Sequence, residues 1–239
     1  MNLAIDIGNT RTKIGVFNTS DLATVLTFDK SASIHLPELI KHFDIQKAII
    51  SSTTDIPDEL SASFSTIEKN ITLNEATRLP FLNQYASKRS LGKDRLALVA
   101  AAHARYPLQN NLVIGCGTCI TFNFINNQDE FLGGSIHPGL KMRLQAMHTF
   151  TGKLPLIELE NRAELIGNDT KSNLLSGVLL AAAKEIDGMI DEYLVKFPQM
   201  NIIITGGDAD LLVSRLKNEI FAIPNLTLIG LNHILEYNA

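Results

Sequence analysis

The sequence predicts an α/β protein built as two similar lobes, and three observations carry that prediction. Short apolar runs of strand length alternate with longer stretches of helical period along the chain. A strand, glycine turn, strand unit opens each half: Leu3-Ala4-Ile5-Asp6-Ile7-Gly8-Asn9-Thr10 first, then Leu112-Val113-Ile114-Gly115-Cys116-Gly117-Thr118. The 239 residues exceed one average domain and suffice for two buried cores. The division falls near Pro107-Leu108-Gln109, giving a first lobe of residues 1–107 and a second of residues 108–239.

Residues 3–7 and 12–17 are apolar strands joined by Gly8-Asn9-Thr10-Arg11, a hairpin signature, and a third strand is expected near 24–28. Residues 36–43 read as a helix, and 47–51 as a buried strand running into small polar residues. Asp55-Ile56-Pro57 offers an N-cap at Asp55 and a proline in the first turn of a short helix. Residues 70–91 have no clear period and read as a loop or flap, whereas 93–105 form a strong helix with Leu96, Val99, Ala100 and His103 on one face. In the second half, strands are expected at 111–115 and 119–125, then a turn at 126–129 into a strand ending at Gly133-Gly134. Helices follow at 139–150 and 170–197, then a strand at 202–205, a turn at Gly206-Gly207-Asp208 and a helix at 209–217. The helix at 170–197 carries a long apolar stripe that includes Leu174, Val178, Ala182, Ile186 and Tyr193.

Hydrophobic residues make up 45% of the chain and charged residues 19%, which places it among ordinary globular proteins. A net charge of −4 gives no electrostatic case for nucleic acid or an anionic membrane as partner. No apolar run approaches the ~20 residues that span a bilayer, and the first residues lack a signal-peptide pattern, so a cytoplasmic protein is expected. The two cysteines, Cys116 and Cys119, exclude a disulfide scaffold.

Four constellations bear on chemistry. Asp6 at a strand end beside Gly8 is suited to a hydrated magnesium ion, with backbone amides free to approach a phosphate; Thr10, Thr12 and Lys13 add hydroxyls and a positive charge. The competing reading is a plain hairpin in which Asn9 supplies turn geometry. Thr205-Gly206-Gly207-Asp208 is a second glycine turn, suited to adenine or ribose, or else a tight connection capped by Asp208. In Gly92-Lys93-Asp94-Arg95, Asp94 is placed to accept a hydroxyl proton and Arg95 to bind a carboxylate or steady phosphoryl charge; Asp94 could equally serve only the helix dipole. Cys116 and Cys119 form C-x-x-C, but no second pair or histidine pair accompanies them, so small buried residues are expected rather than a redox or zinc site. The six histidines show no metal-ligand spacing, and His137, expected in a loop, reads as structural.

The ordered set of motifs resembles the type III pantothenate kinases, a bacterial family in the acetate kinase, sugar kinase, heat-shock chaperone and actin superfamily. The matching elements are Asp6-x-Gly8-Asn9-Thr10, Gly92-x-Asp94-Arg95, Gly117-Thr118-x-x-Thr121 and Gly133-Gly134-x-Ile136-x-Pro138-Gly139. Thr151-x-x-Leu154-Pro155, Gly167-Asn168-x-Thr170 and Thr205-Gly206-Gly207-Asp208 follow in the family's order, so the resemblance covers essentially the whole chain.

The resemblance implies an actin-like, ribonuclease H-like fold with two lobes around a nucleotide cleft. The implied activity is transfer of phosphate from ATP to pantothenate, giving 4'-phosphopantothenate in the first step of coenzyme A biosynthesis. Asp6, Ile7, Gly8, Asn9, Thr10, Arg11, Thr12 and Lys13 would form the ATP phosphate loop, with Asp6 near magnesium, and Thr118 would contact ATP from the opposite lobe. Asp94 would be the general base. Tyr85, Gly92, Lys93, Asp94 and Arg95 would line the pantothenate pocket, completed by Thr170. A homodimer is implied, and potassium or ammonium assists ATP binding in the family. Relatives carry aspartate two residues before Gly117 where this chain has Gly115, so the monovalent cation site loses its carboxylate. That loss favours a rival reading, a non-catalytic nucleotide-binding regulator, whereas retention of Asp94 and Arg95 opposes it. A kinase of the same fold acting on another small hydroxyl acid is a further alternative, because pocket shape decides substrate.

Overall fold

The computed structural model describes residues 1–29 and 34–239. The elements in chain order begin with β1 (Asn2–Ile7), β2 (Arg11–Asn18), β3 (Asp21–Asp29), α1 (Leu36–His42), β4 (Lys47–Ser52) and α2 (Asp58–Phe64). They continue with β5 (Lys69–Thr72), β6 (Leu82–Asn83), a 3₁₀ turn at Lys88–Ser90, α3 (Lys93–Arg105), β7 (Asn111–Cys116), β8 (Cys119–Ile125) and β9 (Glu130–Pro138). The last are α4 (Leu140–Phe150), α5 (Thr170–Lys196), β10 (Asn201–Thr205), α6 (Ala209–Val213), β11 (Phe221–Ala222) and α7 (Leu226–Tyr237). The chain divides into two α/β units, one of Met1–Leu108, Ile125–Leu132 and Asn225–Ala239, the other of Gln109–Phe124 and Gly133–Pro224.

The first unit has the sheet order β3-β2-β1-β4-β5. β1 pairs antiparallel with β2 and parallel with β4. Alternation along the strands separates two faces. Leu3, Ile5, Ile14, Val16, Ala48 and Ile50 pack with Leu36 of α1 and with Leu60 and Phe64 of α2. Ala4 and Ile49 point the other way, into a core with Ala97 and Ala100 of α3 and Leu228 and Leu231 of α7. By the same alternation Asp6 and Ser51 lie on the α3 and α7 face, one residue-pair beyond Ala4 and Ile49.

The sequence reading named no element after residue 217, and it placed all of residues 108–239 in the second lobe. In the structure α7 belongs to the first unit. Two residues that weaken its helical signature are the ones that seat it. A Cβ at Gly230 would overlap the Ala97 carbonyl oxygen, so glycine lets α7 lie directly on α3. Asn232, buried, donates to the Thr19 carbonyl at 2.8 Å and accepts from Asn2 Nδ2 at 3.0 Å. Asn2 also donates to Glu236 at 2.7 Å, and Glu236 pairs with Lys47 at 3.3 Å.

The second unit contains β11-β10-β7-β8-β9, with β10 parallel to both β7 and β11. Its core joins Leu112, Ile114, Ile120 and Phe122 to Leu140 and Leu144 of α4 and to Leu175, Val178, Leu179, Ala182, Ile186 and Ile190 of α5. The apolar stripe of α5 is therefore consumed by the unit's own core. α6 ends at Val213 rather than running to residue 217. The buried Asp187 carboxylate takes the Lys217 amide at 3.0 Å and the Asn218 amide at 3.3 Å, so these donors serve a turn instead of a helix. Within residues 70–91 the structure forms the end of β5, the short β6 and the 3₁₀ turn. The short helix near Asp55 begins at Asp58 behind Pro57, without a side-chain cap. Among the described residues no helix is long and apolar enough to cross a membrane.

Candidate functional site

In the first unit, Gly8 closes the turn between β1 and β2 by donating its N–H to the Arg11 carbonyl at 3.0 Å. Ile7 and Thr12 are buried at the strand ends, while Asn9, Thr10 and Arg11 stand exposed on the turn. Arg11 pairs with Asp29 at 3.5 Å on the surface. Asp6 has Lys13 as its cross-strand partner on β2 and Ser51 as its partner on β4. All three therefore share the face on which α3 packs. Lys13 Nζ donates to Asn225 Oδ1 at 3.3 Å, just ahead of α7.

Burial pushes the Asp6 carboxyl up to about 7; the nearby Asp94 charge adds to the rise and Lys13 opposes it. Asp94 sits in the first turn of α3, whose N-cap is Gly92 rather than Asp94 itself. Arg95, 3% exposed, points into the unit. Its guanidinium lies 5.5 Å from the Tyr85 ring centroid and 5.9 Å from that of Phe131. The Tyr85 and Phe131 rings are stacked at 6.2 Å and 8°. The structure thus brings together Asp6, Lys13 and Asp94 through their charges, and Tyr85 and Arg95 through their rings. Sequence reasoning missed Phe131, Asn225 and Ser51; the only signal was the pair Ser51-Ser52 ending an otherwise apolar strand.

The second unit repeats the glycine turn. Gly117 donates to the Cys119 carbonyl at 3.0 Å and leaves Thr118 exposed, and the Gly139 amide donates to the Thr118 carbonyl at 3.1 Å. Gly206 has φ 114°, and a Cβ there would overlap the Cys116 carbonyl oxygen. The Asp208 amide donates to that same carbonyl at 3.1 Å. Burial raises the Asp208 carboxyl, with Lys141 opposing. Asp208 flanks α6 without a side-chain cap bond. Burial, reinforced by Asp208, pushes the Cys116 thiol up to about 12, so it holds its proton and is not a thiolate nucleophile. Both cysteines are free. Thr170 opens α5 directly after Asp169, which makes a capping box with Ser172.

His137 lies on β9, not in a loop. One ring nitrogen meets Ser135 at 2.7 Å and the other meets Glu185 at 2.6 Å, while Arg143 spans both Glu185 oxygens at 2.9 Å. His137 is thus a satisfied structural histidine, as expected.

Gly115 is the penultimate residue of β7, beside Thr205 of β10. The fully buried Asn123 directs its amide nitrogen to the Val113 carbonyl at 3.1 Å and to Thr121 Oγ1 at 3.2 Å. Among the described residues no group of three or more His, Cys, Asp or Glu side chains is placed to hold a metal. A lone strand-end carboxylate of the Asp6 kind fits magnesium, which keeps waters and takes one or two carboxylates together with substrate phosphates.

Comparison with known proteins adds the following. The family model described as type III pantothenate kinase matches residues 2–192. A type III pantothenate kinase of Christiangramia forsetii is 43% identical over 240 residues, covering 100% of this chain and 99% of the relative. One from Bacteroides fragilis (strain YCH46) is 39% identical over 240 residues, covering 100% and 98%. Among solved structures, a conserved putative Baf family transcriptional activator from Campylobacter jejuni superposes with TM-score 0.59 at 22% identity, covering 99% of this chain and 98% of that one. A putative N-acetylmannosamine kinase from Listeria monocytogenes superposes with TM-score 0.54 at 14% identity, covering 100% and 99%. These two likenesses speak to the fold alone.

Proposed function

The chain belongs to the type III pantothenate kinase family, and from that premise we propose how its residues divide the work of phosphorylating pantothenate with ATP. The observation that carries the proposal is Asp6 set opposite Lys13 in the β1–β2 register, with the first-turn Asp94 of α3 near enough to raise the Asp6 carboxyl.

We assign Asp94 as the general base. It takes the proton of the pantothenate hydroxyl as that oxygen bonds to the γ-phosphorus of ATP. The bond from that phosphorus to the β,γ-bridging oxygen breaks, and ADP leaves with the bridging electrons. Gly8, Asn9, Thr10 and Arg11, with Ile7 and Thr12 fixing the strand ends, offer amides, hydroxyls and a guanidinium to the phosphates. Lys13 adds positive charge beside Asp6. Magnesium, when bound with ATP, neutralises phosphate charge, and Asp6 is the side chain assigned to hold it, through water. Gly92, Lys93, Arg95 and Tyr85 are assigned to pantothenate, with Arg95 held by Tyr85 and Phe131 so that its charge meets the pantothenate carboxylate. Thr118, exposed on the second unit's turn, is assigned to ATP. The assignments of Thr118 and of Thr170 to ligand rest on the family resemblance. A cytoplasmic homodimer is part of the same reading.

The test is ADP release by the purified protein with magnesium-ATP, with and without pantothenate. Release that depends on pantothenate is the expected result. ADP release indifferent to pantothenate but dependent on another small hydroxyl acid would move the assignment to that substrate, and no release at all would leave a nucleotide binder.

A further inference from the structure

Ser51 is 0% exposed, and its Oγ has no hydrogen-bond partner among the described residues. Its two neighbours along the chain show that this is particular to Ser51. Ser52 Oγ donates to the Thr54 carbonyl, and Thr53 Oγ1 donates to the Ile7 carbonyl at 3.2 Å. The Thr53 amide also bonds the Ile7 carbonyl, at 3.0 Å, which ties the end of β4 to the end of β1 beside the first turn. Buried hydroxyls in folded proteins are almost always paired, so an isolated one points to a partner that arrives with a ligand or a bridging water.

The sheet sets one candidate beside it. Ser51 and Asp6 are register partners on adjacent parallel strands, and both lie on the α3 and α7 face. Adjacent strands lie ~4.8 Å apart, so a serine oxygen and a neighbouring carboxylate on one face are within the span of a single water. Both residues are at the carboxyl ends of their strands, where open α/β sheets bind ligands.

We propose that Ser51 is a positioning residue for the kinase reaction, whose hydroxyl holds Asp6 through one water in the orientation that receives magnesium-bound ATP. The inference rests on the assignment of Asp6 made above. A carboxylate that acts on a metal or its waters needs its second oxygen fixed, and outer hydrogen-bond partners of this kind supply that restraint. Lys13 is already engaged with Asn225, which leaves Ser51 as the neutral side chain next to Asp6 in the sheet.

Ser51→Ala tests this with minimal disturbance, because it removes only an oxygen that bonds no group of the described residues. The expected result is a rise of about ten-fold in KM for magnesium-ATP, with the KM for pantothenate and the melting temperature unchanged. Calorimetry with a non-hydrolysable ATP analogue is expected to show the same loss of affinity with magnesium present and none without it. The cycle with Asp6→Asn separates the two readings. If Asp6→Asn weakens magnesium-ATP binding and Ser51→Ala adds nothing further in that background, Ser51 acts through Asp6. A folded Ser51→Ala protein within two-fold of wild type in both measurements overturns the inference while leaving Asp6 intact. So does an undiminished Ser51→Ala effect in the Asp6→Asn background. An Asp6→Asn protein with unaltered magnesium-ATP binding sinks the Asp6 assignment and this inference with it.

Discussion

The Asp94 carboxylate at the start of α3 pushes the Asp6 carboxyl on β1 upward, in the same direction as burial does, and Lys13 offsets the two only in part. Asp6 therefore moves from its ordinary 3.8 to about 7 in the free protein. A strand-end carboxyl that is half protonated near neutrality is poorly solvated and poorly paired. It gains most when a cation arrives beside it, so the cost of burial becomes preference for the cation-loaded state.

That shift has a definite consequence for stability. Between 3.8 and about 7 the folded chain keeps a proton that the unfolded chain releases. The stability of the ligand-free protein is thus highest below that window, falls as pH rises through it, and levels off above it, at a cost of up to ~1.4 kcal/mol per unit. Asp6→Asn removes the charge. Its melting temperature should match wild type near pH 4 and exceed it at pH 8 in the absence of ligand. A mutant that melts below wild type at pH 8 would mean that Asp6 makes a stabilising contact as an anion.

Asp94→Asn separates the catalytic from the electrostatic role of Asp94. Single-turnover ADP formation should slow by ~10²-fold or more, the usual scale of a general base. The same substitution removes one of the influences that raise Asp6, so the pH window of falling stability should shift downward in the ligand-free protein. Unchanged turnover in a folded mutant would take Asp94 out of the base role, and a fixed pH window would refute the coupling.

Gly206 provides a test of the second turn. Its φ of 114° is disfavoured for any side chain, and its Cα lies against the Cys116 carbonyl. Gly206→Ala should cost ~1–3 kcal/mol from backbone conformation alone, with steric overlap adding to that. The check is chemical denaturation followed by ATP titration. Gly207→Ala, where a Cβ meets nothing within 4 Å, is the matched control and should be close to neutral.

The proposed homodimer would rest on something other than the α5 stripe, since that stripe is buried in the second unit's own core. The apolar residues left on the surface of that unit include Phe150 at 85%, Leu165 at 85% and Ile166 at 82% exposure. Large side chains this exposed mark an association surface when they cluster. Light scattering should give about twice the 26.2 kDa chain mass, and Phe150→Ser with Ile166→Ser should shift the mass toward the monomer. A wild-type protein that is monomeric and fully active at micromolar concentration would exclude the dimer.

Most of the fold was legible in the sequence because its strands and helices carry clean periods. The strands from β1 to β4, the helices α3 to α5 and both glycine turns appear where alternation and turn chemistry place them. What escaped was structure encoded against local propensity. α7 hides behind Gly230 and Asn232, which serve packing on α3 and bonding to Asn2 rather than helix formation. The end of α6 depends on Asp187, about thirty residues upstream in the chain, and no local pattern reports it. At the candidate site the charged residues were readable as motifs, whereas Ser51 and Phe131 matter through strand register and ring stacking. These are non-local facts that one sequence does not display.

Monovalent cation dependence is where this chain is expected to depart from the pattern that the family resemblance implies. The family resemblance implies a carboxylate at the position where this chain has Gly115, which offers only a backbone carbonyl. Potassium or ammonium is held by several oxygens, and a carboxylate is the strongest electrostatic contributor to such a set. Asn123 on β8 was the natural substitute, a neutral oxygen on the adjoining strand. Its amide nitrogen donates to the Val113 carbonyl at 3.1 Å and to Thr121 Oγ1 at 3.2 Å, its side chain is fully buried, and its neutral oxygen makes up only in part for a lost charge. The carboxylate that does lie near that turn, Asp208, is pushed up by burial and so is disfavoured as an anion, while Cys116 keeps its proton and Thr118 brings only a neutral hydroxyl. Charge compensation at the phosphates then falls to magnesium and to Lys13. Activity in sodium or Tris buffers should therefore change little when potassium is titrated in at constant ionic strength. An activation of ten-fold, equivalent to ~1.4 kcal/mol of differential stabilisation, would show that backbone oxygens suffice for the cation. Gly115→Asp is the complementary experiment, and it should create or strengthen potassium activation if the missing carboxylate is the cause.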